Sequence, residues 1–248
     1  MLSNKVVVIT GACGGLGSEL VKQFLAEGSV VVALARSQLS LDKMAQALNT
    51  EKFHPHVVDV SNSVSVKQCF ELIARDLGGV DILFNNAAVY PRLNFLDESP
   101  EEWMNAIAIN LGGVANCCKA ALPQMLKKGF GRVYNLGSFA DLKPIENSSA
   151  YSCSKGGLHS LTKAIARDVD ALNKSVDIEI HEWIPGHLKT QMSNFTGIEP
   201  TLSASWGVKI ARGDIKAGTK HSIFVNDRER LPPRRLKQKI KDRVFFWR

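Results

Sequence analysis

Val6-Val7-Val8-Ile9-Thr10-Gly11-Ala12-Cys13-Gly14-Gly15-Leu16-Gly17 opens the chain with an apolar β-branched run that ends in a cluster of glycines. A run of this kind reads as a strand buried on both faces. Beyond the glycines, Leu16, Leu20 and Phe24, with Val21 and Leu25, recur every three or four residues until Gly28, the pattern of an amphipathic helix and its stop. Glycines between a strand and a helix permit positive φ and let backbone approach a ligand closely. The helix N-terminus beyond them favours a negative charge, so the turn reads as a pyrophosphate cradle. Gly11, Cys13, Gly15, Leu16 and Gly17 are therefore candidate cofactor-binding residues.

Outward from this turn, strand-length and helix-period segments alternate. Val30 to Ala35 reads as a second strand, and Leu41, Met44, Ala45 and Leu48 as a second helix. Val57 to Val60 is the expected third strand, Val66, Phe70, Ile73 and Leu77 mark a third helix, and Val80 to Asn85 is a fourth strand. Pro100-Glu101-Glu102 starts a long helix toward Lys128, with a break near Gly112-Gly113. Arg132 to Leu136, Tyr151 to about Leu172, and Asp177 to Ile184 complete the series as strand, helix, strand. Strict alternation without a linker predicts a doubly wound α/β domain, one parallel sheet with helices on both faces, a Rossmann fold spanning residues 1–227.

The 248 residues, 45% hydrophobic and 22% charged, have an ordinary globular balance that excludes disorder as the main state. No apolar run reaches the roughly 18 residues of a membrane span, and the N-terminus lacks the pattern of a secretory signal. A cytoplasmic protein is expected. Five cysteines without a CxxC pair fit reduced thiols, and six histidines without metal-ligand spacing give no reason to expect a metal.

The second strand ends Leu34-Ala35-Arg36-Ser37, where an acid that pairs with the ribose 2′-hydroxyl of NAD would otherwise stand. A guanidinium here can pair with a 2′-phosphate and Ser37 can donate a further hydrogen bond, so NADP(H) is the expected cofactor. Farther on, Tyr151 and Lys155 stand four apart on an expected helix and share one face. A phenol with its ordinary pKa of about 10 transfers protons poorly at neutral pH, and an ammonium beside it favours the phenolate. Ser138, at the end of the preceding strand in Tyr134-Asn135-Leu136-Gly137-Ser138, adds a hydroxyl at the same edge of the sheet.

With these motifs in order, the chain resembles the short-chain dehydrogenase/reductase family from about Val6 to Thr190. The resemblance rests on TGxxxGxG at Thr10 to Gly17, Asp59 after the third strand, Asn85-Asn86-Ala87-Ala88, Asn110, Ser138, Tyr151, Lys155, and Pro185-Gly186 followed by Thr190. It implies an oxidoreductase in which Ser138 hydrogen-bonds the oxygen of a carbonyl or alcohol substrate and Tyr151 is its acid or base. Lys155 would lower the Tyr151 pKa and hold the nicotinamide ribose, and Asn110 would position a water that links Lys155 to solvent. Asp59 and Val60 would contact adenine, Asn86, Ala87 and Ala88 the adenine ribose side, Pro185 and Gly186 the nicotinamide, and Thr190 its carboxamide. A homo-oligomer, dimer or tetramer, built from the helices near residues 100–128 and 151–172 is implied as well.

Met192, Phe195 and Trp206, with Tyr90 and Phe139, suggest an apolar pocket or its lid. The net charge of +7 resides in residues 228–248, a basic C-terminal extension with nine Lys and Arg against two acids, so the rest of the chain is formally neutral. Nucleic acid is accordingly disfavoured as a partner. Leu236, Ile240 and Val244 would form one apolar stripe on a helix in that extension, open to self-packing, to a partner or, through residues 234–248, to an anionic membrane surface. A nucleotide-sensing or scaffold protein that binds a partner through this segment is the alternative to an enzyme.

Overall fold

In the computed structural model, residues 2–172, 175–215 and 217–230 are described. The strands are β1 (Val6–Thr10), β2 (Val30–Ala35), β3 (Phe53–Val57), β4 (Ile82–Asn85), β5 (Phe130–Leu136), β6 (Asp177–Ile184), β7 (Ile223–Val225) and β8 (Arg228–Arg230). The helices are α1 (Gly15–Ala26), α2 (Gln38–Leu48), α3 (Ser63–Leu77), α4 (Pro100–Ile107), α5 (Gly113–Lys128), α6 (Ser149–Leu172) and α7 (Pro200–Arg212). One sheet runs in the order β3-β2-β1-β4-β5-β6-β7-β8, parallel except for the antiparallel β7–β8 pair.

The β-branched run at the start of the chain explains how two cores form on one sheet. Successive strand residues point to opposite faces, and every residue of β1 is buried. Val6 and Val8 enter one core with residues of α3, α5 and α6, while Val7 and Ile9 enter the other with α1, α2 and α7. After β3 the chain crosses back over β1 to form β4, so strand order reverses between β1 and β4. Doubly wound sheets bind ligands at the carboxyl edge beside such a switch point.

Three elements differ from the sequence expectation. The third strand is Phe53–Val57 rather than Val57–Val60. It pairs only with β2, and an edge strand accommodates the missing N–H of Pro55, whereas Val58 and Val60 leave the ladder and bury in the core. The expected long helix is α4 and α5 joined through a π-helical turn, Ala108–Gly112. Trp206 belongs to α7, a helix not anticipated from the sequence, and packs on the core shared with α1. At the far edge, β8 continues the sheet past residue 227. The expected helical stripe of residues 234–248 lies outside the described residues.

Trp183 in β6 is wholly buried, donates its indole N–H to the Asn226 carbonyl at 3.0 Å and meets Phe84 edge-on at 6.0 Å. Gly207 of α7 leaves room for the ring, since a Cβ there would lie 2.7 Å from it. Trp183→Ala is expected to lower stability by about 3–5 kcal/mol, read from urea unfolding; a loss below about 1 kcal/mol would contradict this packing.

Candidate active site

The glycine turn is shaped from below by β4. Thr10 Oγ1 accepts the backbone N–H groups of both Asn86 and Ala87 at 2.9 Å. Asn86 returns its side-chain amide to the carbonyls of Thr10 (2.9 Å) and Gly11 (3.1 Å). Gly11 adopts φ +62°, and a Cβ on Gly17 would lie 2.2 Å from the Gly11 carbonyl oxygen. Side chains are thus excluded by contact with backbone as well as by the left-handed conformation at Gly11. Thr190, from the loop after β6, lies against the same turn, its methyl 2.5 Å from where a Cβ of Gly15 would stand.

Beside the turn is a cavity of about 260 Å³. Of the residues anticipated for cofactor binding, it gathers Gly11, Cys13, Arg36, Ser37, Asp59, Val60, Ala87 and Ala88. Gly14, Leu34, Val58, Val89 and Ile109 also line it, and only their position next to motif residues could have signalled them. Arg36 is exposed and forms no ion pair among the described residues. Ser37 caps α2 by accepting the Ser40 N–H at 3.2 Å. The Asp59 carboxyl is held below its ordinary range by hydrogen bonds from Ser61, with the Arg36 charge assisting. A turn closed to side chains at a helix N-terminus, with a guanidinium at the cavity rim that forms no ion pair among the described residues, is a donor set that fits a nicotinamide dinucleotide.

Gly15, Leu16, Gly17, Asn86, Tyr151, Lys155, Pro185, Gly186 and Thr190 do not line this cavity. Leu16 packs into the core, so only its backbone faces the cradle. Pro185 is buried and its carbonyl accepts the Ser203 hydroxyl at 2.9 Å.

Ser138 and Lys155 approach Tyr151, while Asn110 joins the same helix through Ser154. The π turn carries Asn110 into the interior, where it is fully buried. Its amide accepts the Val89 N–H at 2.8 Å, donates to the Val89 carbonyl at 2.9 Å and donates to Ser154 Oγ at 3.1 Å. Single π turns inside helices are frequent at functional sites because they redirect one side chain. Lys155 Nζ lies 5.6 Å from the Tyr151 ring centre and donates to the Leu136 carbonyl at 2.7 Å.

The Ser138 side chain faces the Tyr151 phenol, and the Tyr151 ring stacks on Tyr90 at 4.8 Å. Arg92 covers Tyr90 and donates to the Met192 carbonyl, joining the two loops above the site. Phe139, Met192 and Phe195 are exposed around them.

Contrary to expectation, the Tyr151 phenol titrates above its ordinary value. Burial disfavours the phenolate, the Ser138 hydrogen bond opposes this, and Tyr90 adds to the upward shift. The Lys155 ammonium pays for its own burial: its pKa falls to about 8, with the Glu182 charge pushing back.

Residues 5–199 match the family model described as short chain dehydrogenase. The chain belongs to the short-chain dehydrogenase/reductase family. Meso-2,3-butanediol dehydrogenase of Serratia marcescens is 34% identical over 191 residues, 77% of this chain and 74% of that protein. The uncharacterized oxidoreductase YvrD of Bacillus subtilis is 30% identical over 77% of this chain and 71% of its own length. Among solved structures, NAD+-bound xylitol dehydrogenase superposes with a TM-score of 0.69 at 28% identity, covering 75% of this chain and 72% of that one. Gox2181, with a TM-score of 0.80 at 22% identity over 91% of this chain and 95% of that one, shares the fold. The chain is thus an oxidoreductase of this family, and none of its described helices is long and apolar enough to cross a membrane.

Asn110→Ala would strip the half-buried Val89 backbone of its side-chain partner at both N–H and carbonyl. The expected cost is about 2–4 kcal/mol in chemical unfolding, with faster hydrogen exchange at the Val89 amide; unchanged exchange there would contradict the clamp.

Proposed function

We propose that the chain is an NADP(H)-dependent oxidoreductase acting on a small ketone, aldehyde or secondary alcohol, with Tyr151 as acid and base. What carries this reading is that Ser138 and Lys155 both approach Tyr151, while Arg36, without an ion pair among the described residues, lines the cavity beside the glycine turn. Backbone of Gly11 to Gly17 would hold the pyrophosphate, and Arg36 and Ser37 the 2′-phosphate. Asp59 and Val60 would flank adenine, and Asn86 to Ala88 its ribose. Pro185, Gly186 and Thr190 would border the nicotinamide. When bound, the cofactor supplies or accepts the hydride.

The chain's own groups manage the proton and the geometry. Ser138 hydrogen-bonds the substrate oxygen, and Tyr151 gives that oxygen a proton in carbonyl reduction or removes one in alcohol oxidation. An upward-shifted phenol is protonated at neutral pH, which suits the reductive direction. Lys155 sets its positive charge behind the phenol, stabilising the phenolate once the proton has left, and would hold the nicotinamide ribose. Asn110 fixes the loop from Val89 that carries Tyr90, so the ring stacked on Tyr151 is held in place. The names of the butanediol and xylitol dehydrogenases favour vicinal diols and their hydroxyketones as first substrates.

A panel of such substrates, read by the absorbance of NADPH with NADH as control, tests the reading. Tyr151→Phe is expected to keep NADPH binding while kcat falls by about a thousandfold or more. Near wild-type turnover in that variant would rule out the proposed mechanism. Arg36→Leu is expected to raise KM for NADPH about tenfold or more and leave KM for NADH nearly unchanged. A wild-type preference for NADH would defeat the cofactor assignment.

A further inference from the structure

Behind Lys155 lies a charged chain that the proposed reaction does not use. Tyr151, Lys155, His159 and Lys163 recur every fourth residue along α6 and therefore share one face. The third and fourth meet a buried acid from the sheet: His159 Nδ1 is 2.5 Å from Glu182 Oε2, and Lys163 Nζ is 2.6 Å from His159 Nε2. An ammonium can only donate, so Nε2 accepts and Nδ1 carries the hydrogen given to the carboxylate. Lys163 is exposed, the His159 side chain is 29% exposed and that of Glu182 only 2%, so the chain runs from solvent to the interior.

Glu182 ends close to the attachment point of Lys155. Its strand pairs with β5 in register Asn135↔Glu182, and its carboxylate lies on Gly137, where a Cβ would be 2.1 Å from Oε1. The preceding residue, Leu136, gives the carbonyl that accepts Lys155 Nζ. The two opposite charges thus bear on consecutive residues at the end of β5, which accounts for both an acid in the sheet interior and a glycine beside it. Burying a carboxylate is costly unless it is hydrogen-bonded and faces a positive charge, and this one has both.

We propose that Glu182 is the counter-charge of Lys155, a positioning residue aimed by His159 and Lys163 that keeps the Lys155 side chain in its ammonium form beneath the substrate site. This role rests on the proposed function of Lys155 only for its effect on turnover. Beside Lys155 the titratable group is Tyr151 of α6, which in turn faces Ser138 after β5 and Tyr90 from the loop after β4. Around Glu182 the facing groups are His159 and Lys163 of α6 and His221 ahead of β7, whose Nδ1–H is committed to the Ile180 carbonyl at 2.9 Å. Burial pulls Lys155 down to about 8 with Glu182 opposing, so loss of the carboxylate lowers it further. The ammonium is then lost at a lower pH.

The test is a pH titration of the Lys155 side chain in the full chain, followed by the ¹³Cε shift and assigned with Lys155→Arg. Glu182→Gln keeps the shape and removes the charge, and it is expected to lower the Lys155 midpoint by about one pH unit. Glu182→Asp keeps the charge but draws it back by one methylene; it is expected to lower the midpoint less but in the same direction, and it serves if the first variant does not fold. A midpoint that stays within about 0.2 unit in both variants would overturn the proposal, because a purely structural role for Glu182 moves stability and not this titration. The alkaline limb of kcat/KM is expected to shift to lower pH by the same amount. If the Lys155 midpoint moves while that limb stays, the counter-charge stands and the part given to Lys155 in the reaction falls.

Discussion

Thr10 ends β1 and Asn86 follows β4, strands that are neighbours in the sheet and far apart in sequence, and their mutual hydrogen bonds join the two halves of the doubly wound fold. The hydroxyl of one accepts two backbone N–H groups just past β4, and the amide of the other donates to two carbonyls where β1 ends. A loop with this many of its polar groups committed has one shape, and that shape starts α1 with its N-terminus toward the cavity. Everything at the carboxyl edge inherits its position from this knot: the cradle in front, the Ala87-Ala88-Val89 floor beside it, and through Val89 the buried Asn110.

The second ordering element is α6, which acts as a ruler. Its four-residue repeat sets a phenol, an amine, an imidazole and a second amine along a single line, and β5 and β6 supply what each needs opposite it. Ser138 meets the phenol, the Leu136 carbonyl meets the first amine, and Glu182 meets the imidazole. Helix spacing alone places these groups on one face; the strand ends decide which are neutral partners and which are charged ones.

What could be read from sequence follows this division. The β1 turn, β6 and the line of Tyr151 and Lys155 are local patterns, a β-branched run, an apolar strand and a helical interval, and each carries its own signal. Elements whose identity depends on a neighbour were not legible. His54-Pro55-His56 has no strand pattern and becomes one because β2 offers a ladder on one side only. The segment from Pro200 to Arg212 mixes Ser, Gly and Trp and becomes a helix against α1 and the Trp183 ring. The same holds for charge: the helical interval sets Lys155 beside Tyr151, but burial shifts both groups and, for Lys155, a carboxylate on another strand opposes the shift. Glu182 could not be singled out, since nothing in Glu179-Ile180-His181-Glu182 tells which acid is buried.

At the two ends of the sheet, the strands have a property that bears on self-association. β3 exposes an unpaired side containing Pro55, and β8 is three residues long and reads Arg-Glu-Arg. An open strand edge invites another copy to add its own strand, the route to runaway β-assembly, and short, charged or proline-bearing edges discourage it. Neither described edge offers an apolar ladder of useful length. A copy that docks here by strand addition meets either a gap in the hydrogen bonding or two like charges at close range, so the sheet is closed at both ends by composition where it is not closed by geometry.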